Sequence, residues 1–331
     1  MSIPEHLREK IQLIPEKPGI YKMKDSHGNI IYIGKSKCLN KRVKSYFQSN
    51  HEWEKIKRLV FNIHDIDIII TDTHLEAQLL ECAMIKRYKP IYNSQFTRDK
   101  NYAYLKIEDN GEKPLSITYN KGGMYTFGPY RSKYYIYDLI ELLTKLYPIK
   151  RTGDSFELQY NPLPVQMNEE QFQENRLSLI DLFSNMDSLR TFLNILKTKM
   201  EEASLALHFE RALQLRNIYL CLEQLYNSQN NNLTKDKDII MGERIDDGYK
   251  LFYISNGNLI LKRKFKEISI IDVKDFINRA NILKNKRVSN RSEKSIMDFK
   301  SIINAELKSS YYKIDDEKFN AYEFIKGLIE L

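Results

Sequence analysis

Two tyrosines, Tyr21 and Tyr32, stand at matching places in residues 18–34, PGIYKMKDSHGNIIYIG, each close to a glycine, Gly19 in the first run and Gly34 in the second. Packing alone would accept any large side chain at both places, whereas a reaction site that uses phenol hydroxyls would not. A phenol is a weak base at neutral pH, with an ordinary pKa of about 10, unless positive charge lies close. Such charge follows directly: GKSKCLNKRVKSYF carries Lys35, Lys37, Lys41, Arg42 and Lys44 with no acid among them, then Tyr46 and Phe47. The run fits either a solvated helix face or a helix that contacts phosphates, with aromatics beside it for bases or sugars. Charge alone does not choose between the two.

The elements that would position these residues are legible nearby. Residues 19–24 and 29–34 are β-rich runs joined by the polar turn DSHG, which predicts an antiparallel hairpin with Tyr21 and Tyr32 on neighbouring strands. A basic helix over 36–47, a short helix over 52–60 and a third strand over 65–71 complete a small sheet with helices. In THLEAQLLECAMIKRYKP, Thr73 is a candidate N-cap with Glu76 three residues on. Leu75, Leu79, Leu80 and Met84 form the apolar stripe of this helix, and Pro90 stops it. Glu81 falls off that stripe, near Lys86 and Arg87 in sequence, and Asn93 follows in PIYNSQF.

The chain of 331 residues is long enough for two or three modest domains. Its apolar fraction of 42% and charged fraction of 29% are ordinary for a soluble protein, and no run approaches a membrane span. The charged start, MSIPEHLREK, does not read as a secretory signal, which makes the cytoplasm the expected location. Cys38, Cys82 and Cys221 stand far apart and suggest neither disulfides nor a zinc site. Of the net charge of +8, residues 1–100 hold +6, from 18 Lys/Arg against 12 Asp/Glu.

In their order and spacing GIY, YIG, Lys35, Arg42, Glu81 and Asn93 resemble the GIY-YIG nuclease domain over about the first hundred residues. The resemblance implies hydrolysis of a phosphodiester. Tyr32 would be the general base toward water, Tyr21 would position or assist, Arg42 would clamp the scissile phosphate, Lys35 and Tyr46 would contact phosphate, and Asn93 would orient the shell. Glu81 would hold one Mg²⁺ or Mn²⁺, since such a hard cation keeps much of its water shell and needs only one or two protein oxygens. Lys35, Arg42 or the metal would lower the tyrosine pKa, and the basic cluster would also bind DNA, with Lys37, Lys41, Lys44, Lys86 and Arg87 as further backbone contacts. Taken singly, the tyrosines fit strand packing, Glu81 a helix surface and Asn93 a turn; taken together they favour a site.

Three later blocks, TRDKNYAYLKI (97–107), YTFGPYRSKYYIYDLIELLTKLYPIKR (125–151) and KMEEASLALHFERALQLRNIY (199–219), resemble, in order, the UvrC excinuclease subunits. The last is similar to the UVR helical hairpin, which docks on the UvrB helicase subunit. Met200, Ala203, Leu207, Phe209, Ala212, Leu215 and Ile218 recur at helical spacing, with Glu210, Arg211 and Arg216 at the rim. Periodicity by itself also fits a hairpin packed on its own protein. Phe209, Glu210, Leu215 and Arg216 are the expected partner contacts. The stretch IKRTGDSFELQYNPLPVQMNEEQF lacks the four cysteines that UvrC carries here, so no iron–sulfur cluster is expected. A polar tract, LYNSQNNNLTKDKD, reads as a linker, and YKLFYISNGNLILKRKF as a hairpin turning at Asn256-Gly257. Counterparts of the second, ribonuclease-H-like nuclease domain and of the helix-hairpin-helix module are not expected within these residues. A single GIY-YIG site is also the plan of the short UvrC homologue Cho, which lacks the UVR hairpin.

The expected fold is α+β: a GIY-YIG domain (1–100) with a three-stranded antiparallel sheet, a UvrC-like middle region (101–185), a UVR-like hairpin (186–228), a linker (229–238) and a small α/β C-terminal region (239–331). The expected function is metal-dependent incision of lesion-bearing duplex DNA on the 3′ side in nucleotide excision repair, with a UvrB-like partner and no membrane. The alternatives are a non-catalytic UvrB- or DNA-binding adaptor and a structure-specific nuclease that works without UvrB. Oligomeric state is open.

Overall fold

The computed structural model describes residues 3–48, 54–96, 102–110, 113–230, 237–286, 293–307, 312–314 and 319–330. The chain divides into two compact units, one made of residues 1–98 with 233–331 and the other of residues 99–232.

The first segment runs α1 (Glu5–Gln12), β1 (Gly19–Lys24), β2 (Ile30–Ser36), α2 (Leu39–Gln48), α3 (Glu54–Asn62), β3 (Asp65–Ile70) and α4 (His74–Tyr88). The strands form an antiparallel sheet in the order β2-β1-β3. Asp25 ties the turn between β1 and β2, its carboxylate accepting from the backbone of His27 and Asn29 at 2.9 Å each, and Gly28 supplies the positive φ of 79°. Register sets Tyr21 opposite Gly34 and Met23 opposite Tyr32. Tyr21 and Tyr32 are thus diagonal neighbours on one face of the sheet. Leu7, Ile11, Met23, Val43, Phe47 and Ile66 fill the core between this sheet, α1 and α2. Thr73 caps α4 by accepting from Glu76 N, and Lys89 in the left-handed region ends it. The basic helix begins at Leu39, three residues later than its charge pattern suggests, because Ser36 Oγ is engaged with the backbone of Cys38 in a turn.

The second unit opens with a three-stranded sheet ordered β5-β4-β6, from β4 (Ala103–Ile107), β5 (Leu115–Thr118) and β6 (Thr126–Tyr130), followed by α5 (Lys133–Thr144) and the two-stranded ribbon β7 (Lys150–Thr152) and β8 (Ser155–Glu157). Three helices follow, α6 (Glu169–Ser184) with a full capping box at Asn168 and Gln171, α7 (Met186–Leu205) and α8 (Phe209–Asn230). The last two are an antiparallel hairpin that turns through Leu207 at φ 58°. Their inner residues, Leu196, Ala203, Ala212, Leu215, Ile218 and Leu222, join α5 and the sheet in one core. The tract read as a linker starts inside α8 and ends at β9; residues 231–236 lie outside the described residues, as do 97–101 of the TRDKN block.

The C-terminal segment returns to the first unit. Strands β9 (Asp238–Ile245), β10 (Gly248–Ser255), β11 (Asn258–Phe265) and β12 (Tyr312–Lys313) form an antiparallel sheet ordered β11-β10-β9-β12, with helices α9 (Ile270–Lys286), α10 (Glu293–Glu306) and α11 (Ala321–Glu330). The turn at Asn256-Gly257 has positive φ at both residues, 47° and 71°. Successive residues of β10 serve opposite faces: Leu251 and Tyr253 pack with Phe276 and Phe324 of α9 and α11. Phe252 and Ile254 pack with Phe299 and Ile303 of α10 and with Leu75, Leu79 and Cys82 of α4. Burial on both sides explains why LFYI lacks the polar alternation of an exposed strand. Residues 239–331 are therefore not set apart from 1–100, as the division by sequence has them; they share a core with α4. Ion pairs ring that core: Lys250 lies 2.6 Å from Asp72 and 3.2 Å from Glu76, and Lys262 lies 2.5 Å from Glu76. Of KNKRVSNR, Lys284 pairs with Asp238 at 2.8 Å, and residues 287–291 lie outside the described residues. Among the described residues no helix is long and apolar enough to cross a membrane.

Candidate active site

The edge of β2 carries the site. An edge strand leaves alternate N–H and C=O groups without a neighbouring strand, and here side chains and loop backbone replace one. Tyr92 N donates to Ile31 O at 3.1 Å. Asn93 brackets the next residue, Oδ1 accepting from Ile33 N at 2.9 Å and Nδ2 donating to Ile33 O at 2.8 Å. Glu81 Oε1 of α4 then accepts from Lys35 N at 3.0 Å. Tyr32 sits between the clamped residues and Lys35 follows them, so Asn93 and Glu81 set the stretch that bears two of the other site residues.

Three phenols meet over the sheet face, with ring centroids 6.1 Å apart for Tyr21 and Tyr32, 5.9 Å for Tyr21 and Tyr46, and 6.1 Å for Tyr32 and Tyr46. The Tyr21 and Tyr46 hydroxyls are 2.9 Å apart. Arg42, one helical turn before Tyr46, donates to the Tyr46 hydroxyl at 3.3 Å and lies over its ring at 5.0 Å. Tyr21 is 1% and Tyr46 5% exposed, while Tyr32 is part-buried. Both sequence glycines are close-contact positions: a Cβ at Gly19 would meet Ile69 O at 2.3 Å, and one at Gly34 would meet the Tyr21 hydroxyl.

Burial dominates the electrostatics. It pushes Tyr21 well above the ordinary phenol range, reinforced by Tyr46 and Tyr32, and it raises Tyr32 as well, with Tyr46 and Glu81 adding to it. Arg42 works in the opposite direction at both phenols without overcoming burial. The expected lowering by positive charge is thus present from Arg42 but is outweighed by burial at Tyr21 and Tyr32. Burial also raises Glu81, offset in part by the Lys35 N–H and by the charges of Lys35 and Arg42.

Tyr21, Tyr32, Arg42, Tyr46, Glu81, Lys35 and Asn93 all fall in this one region. Lys37 is exposed in the turn before the basic helix, Lys44 is part-exposed, and Lys41 is exposed and 3.5 Å from Glu16. Arg87 is exposed at the end of α4. Lys86 is a correction: its side chain, 15% exposed, pairs at 2.7 Å with Asp298, 3% exposed, so it braces α4 against α10 and is not open to DNA. Leu215 is a second correction. It is 0% exposed in the helical core and has no surface for a partner. Phe209, 64% exposed, and Glu210 and Arg216, both exposed, do lie on the outer face of the hairpin, beside Leu205, Leu207 and Leu213.

The sequence reading gave His74 no role, yet His74 Nε2 lies 3.3 Å from Lys35 Nζ. The available signal was its spacing, seven residues or two helical turns before Glu81 on the same helix. Glu306, which touches His74, carried no signal because its position depends on a fold-back across the chain.

Three kinds of likeness bear on this site. Residues 17–94 match the UvrC-like GIY-YIG domain family. Over 299 residues the chain is 35% identical to the UvrABC system protein C of Clostridium novyi, covering 83% of this chain and 47% of that protein. It is 35% identical over 279 residues to the protein of the same name from Caldanaerobacter subterraneus, covering 76% of this chain and 44% of that one. The chain thus spans about half the length of these relatives. A crystal structure of the GIY-YIG N-terminal endonuclease domain of UvrC from Thermotoga maritima, bound to magnesium as its catalytic divalent cation, is 41% identical and covers 28% of this chain and 99% of that one, with a TM-score of 0.25. Residues 17–94 thus match the UvrC-like GIY-YIG domain, and over most of its length the chain is similar to the UvrABC system protein C.

Proposed function

We propose that this protein is a metal-dependent DNA endonuclease of nucleotide excision repair, which hydrolyses one phosphodiester on the 3′ side of a lesion and is brought there by a UvrB-like partner. The observation that carries the reading is the meeting of three phenols, Arg42 and Glu81 beside a clamped strand edge, on a segment that matches a nuclease family.

The donor set fits a hard cation. Glu81 is the carboxylate that reaches the site, and among the described residues no group of three or more His, Cys, Asp or Glu side chains gathers to hold a metal. One carboxylate suits Mg²⁺ or Mn²⁺, which retain most of their waters, and suits softer metals poorly. When bound, such a cation supplies charge to the phosphate and acidifies water. The chain's own groups do the rest. Arg42, which donates to the Tyr46 hydroxyl, would offer a fixed cation to the non-bridging oxygens, and Lys35 and Tyr46 would add phosphate contacts. Tyr32 would take a proton from water only as the phenolate, so this role requires its own proton to be released to solvent first, with positive charge enough to offset its burial. Tyr21 holds Tyr46, and Asn93 holds the strand under Tyr32. Lys35 and Arg42 would position the backbone without carrying sequence information, so specificity would fall to the partner.

The exposed apolar residues at the tip of the α7–α8 hairpin, with Glu210 and Arg216, support recruitment through that tip. The test is incision of an end-labelled duplex with one bulky lesion, with and without UvrB and its loader, comparing the protein with Glu81→Gln. One UvrB-dependent cut 3′ of the lesion, absent in the variant, is expected; a stable complex that never cuts would leave an adaptor.

A further inference from the structure

The ammonium of Lys35 has a partner that phosphate chemistry does not require. His74 Nε2 lies 3.3 Å from it. An ammonium only donates, so Nε2 accepts, and a neutral imidazole that accepts at Nε2 carries its proton on Nδ1. On that side Glu306 Oε1 of α10 stands 3.0 Å away. The remaining neighbour is the Gln78 amide, whose Nε2 is 3.3 Å from Nδ1. Turning the amide over, which leaves its shape unchanged, gives Nδ1–H a second acceptor. The cluster is half-buried, with 17% of the His74 side chain and 29% of that of Glu306 exposed.

We propose that His74 and Glu306 are positioning residues for Lys35, so that the C-terminal segment sets a cation of the nuclease site; this rests on the nuclease reading of that site. A lysine on its four-carbon stem spreads over many rotamers. A carboxylate partner would fix it but cancel its charge, whereas a neutral imidazole fixes it and leaves the charge whole for a phosphate. Glu306 holds the imidazole in the tautomer that can accept. A protonated His74 would donate from both nitrogens and set a second cation against Lys35. Burial, with Lys35 and Lys37, lowers the His74 pKa, and Glu306 works against that shift, with Glu243 of β9 close to Glu306.

A long-range ¹H–¹⁵N correlation spectrum of the full chain at neutral pH, with the His74 signals assigned by their loss in His74→Phe or shift in Glu306→Gln, reads the tautomer without any activity. Neutral imidazole protonated at Nδ1 is expected; imidazolium, or a proton on Nε2, would overturn the proposal. In the UvrB-dependent incision assay His74→Phe should cut about tenfold more slowly, the scale of one hydrogen bond to a charged group, with KM little changed. The double variant His74→Phe with Lys35→Ala should be no slower than Lys35→Ala. Additive losses would mean that His74 acts elsewhere. The acid limb of the rate profile should move to lower pH in Glu306→Gln, and a uniform drop at every pH would indicate a structural role only. If wild type and Glu81→Gln cut alike, the nuclease reading fails and the tautomer alone decides.

Discussion

A Cβ on Gly34 would lie 2.3 Å from the Tyr21 hydroxyl oxygen and 2.4 Å from Cζ, so the phenol of one strand lies across the bare backbone of its register partner. The second glycine of the motif is there for the first tyrosine. Gly34→Ala should push the ring off Tyr46, cost about 1–3 kcal/mol of stability as overpacking does, and lower incision by at least about tenfold. Urea midpoints and incision rates measure both, and an alanine variant equal to wild type in each would refute the packing account.

Glu81→Gln keeps an oxygen for the Lys35 N–H, which Glu81 Oε1 accepts at 3.0 Å. It should therefore fold and bind DNA while losing incision by about two to three orders of magnitude, as when a preorganised charge-stabilising group is removed. Glu81→Ala leaves that N–H without its acceptor and should also lose about 1 kcal/mol or more of stability. Equal melting curves for the two variants would count against the second role.

Arg42 is the cation held over the phenols, with Tyr46 as its acceptor. Arg42→Ala should weaken DNA binding and flatten the dependence of log K on log salt by about 0.9, one phosphate contact. A salt slope equal to that of wild type would remove Arg42 from the phosphate.

Asp72 is held below the ordinary carboxylate range first by its hydrogen bond to Lys250, with Lys264 adding to it. A depressed folded pKa contributes stability above the unfolded value of about 3.9, and that contribution is lost as pH falls through the folded value. Asp72→Asn should thus be less stable than wild type at pH 7, by about 1 kcal/mol or less because the pair is partly solvated. The difference should shrink as pH falls below the unfolded value and vanish once the folded carboxyl is protonated. A gap that persists in acid would point to packing.

Phe209→Ala with Arg216→Ala removes an exposed aromatic and an exposed charge from the outer face of the hairpin. UvrB-dependent incision should fall, while melting temperature and cleavage of pre-nicked DNA stay within error. Undiminished capture by UvrB would move the docking surface elsewhere.

What was legible in the sequence was local. Alternation and turn residues gave the hairpin at 19–34, Thr73 gave its helix cap, and Asn256-Gly257 gave the second hairpin, because each is decided by neighbours in the chain. The site residues converge for the same reason, since all belong to one short run of elements. Lys86 misled because a lysine near a helix end looks solvated until Asp298 arrives from the far end of the sequence. Leu215 belonged to a stripe whose buried and exposed members look alike in sequence, and the packing against α5 separates them from Phe209. The direction of the tyrosine pKa depended on burial, which no count of lysines conveys.

The core shared by α4 and the C-terminal sheet joins segments that leave the ribosome far apart in time. Leu75, Leu79 and Cys82 emerge early, and their cover of Phe252, Ile254 and Ile303 follows only after all of residues 99–232. At translation rates of about 5–20 residues per second that interval is on the order of ten seconds. The nascent GIY-YIG domain spends it with an apolar face of α4 still without its cover, the kind of surface that chaperones bind, until residues 239–307 have been made.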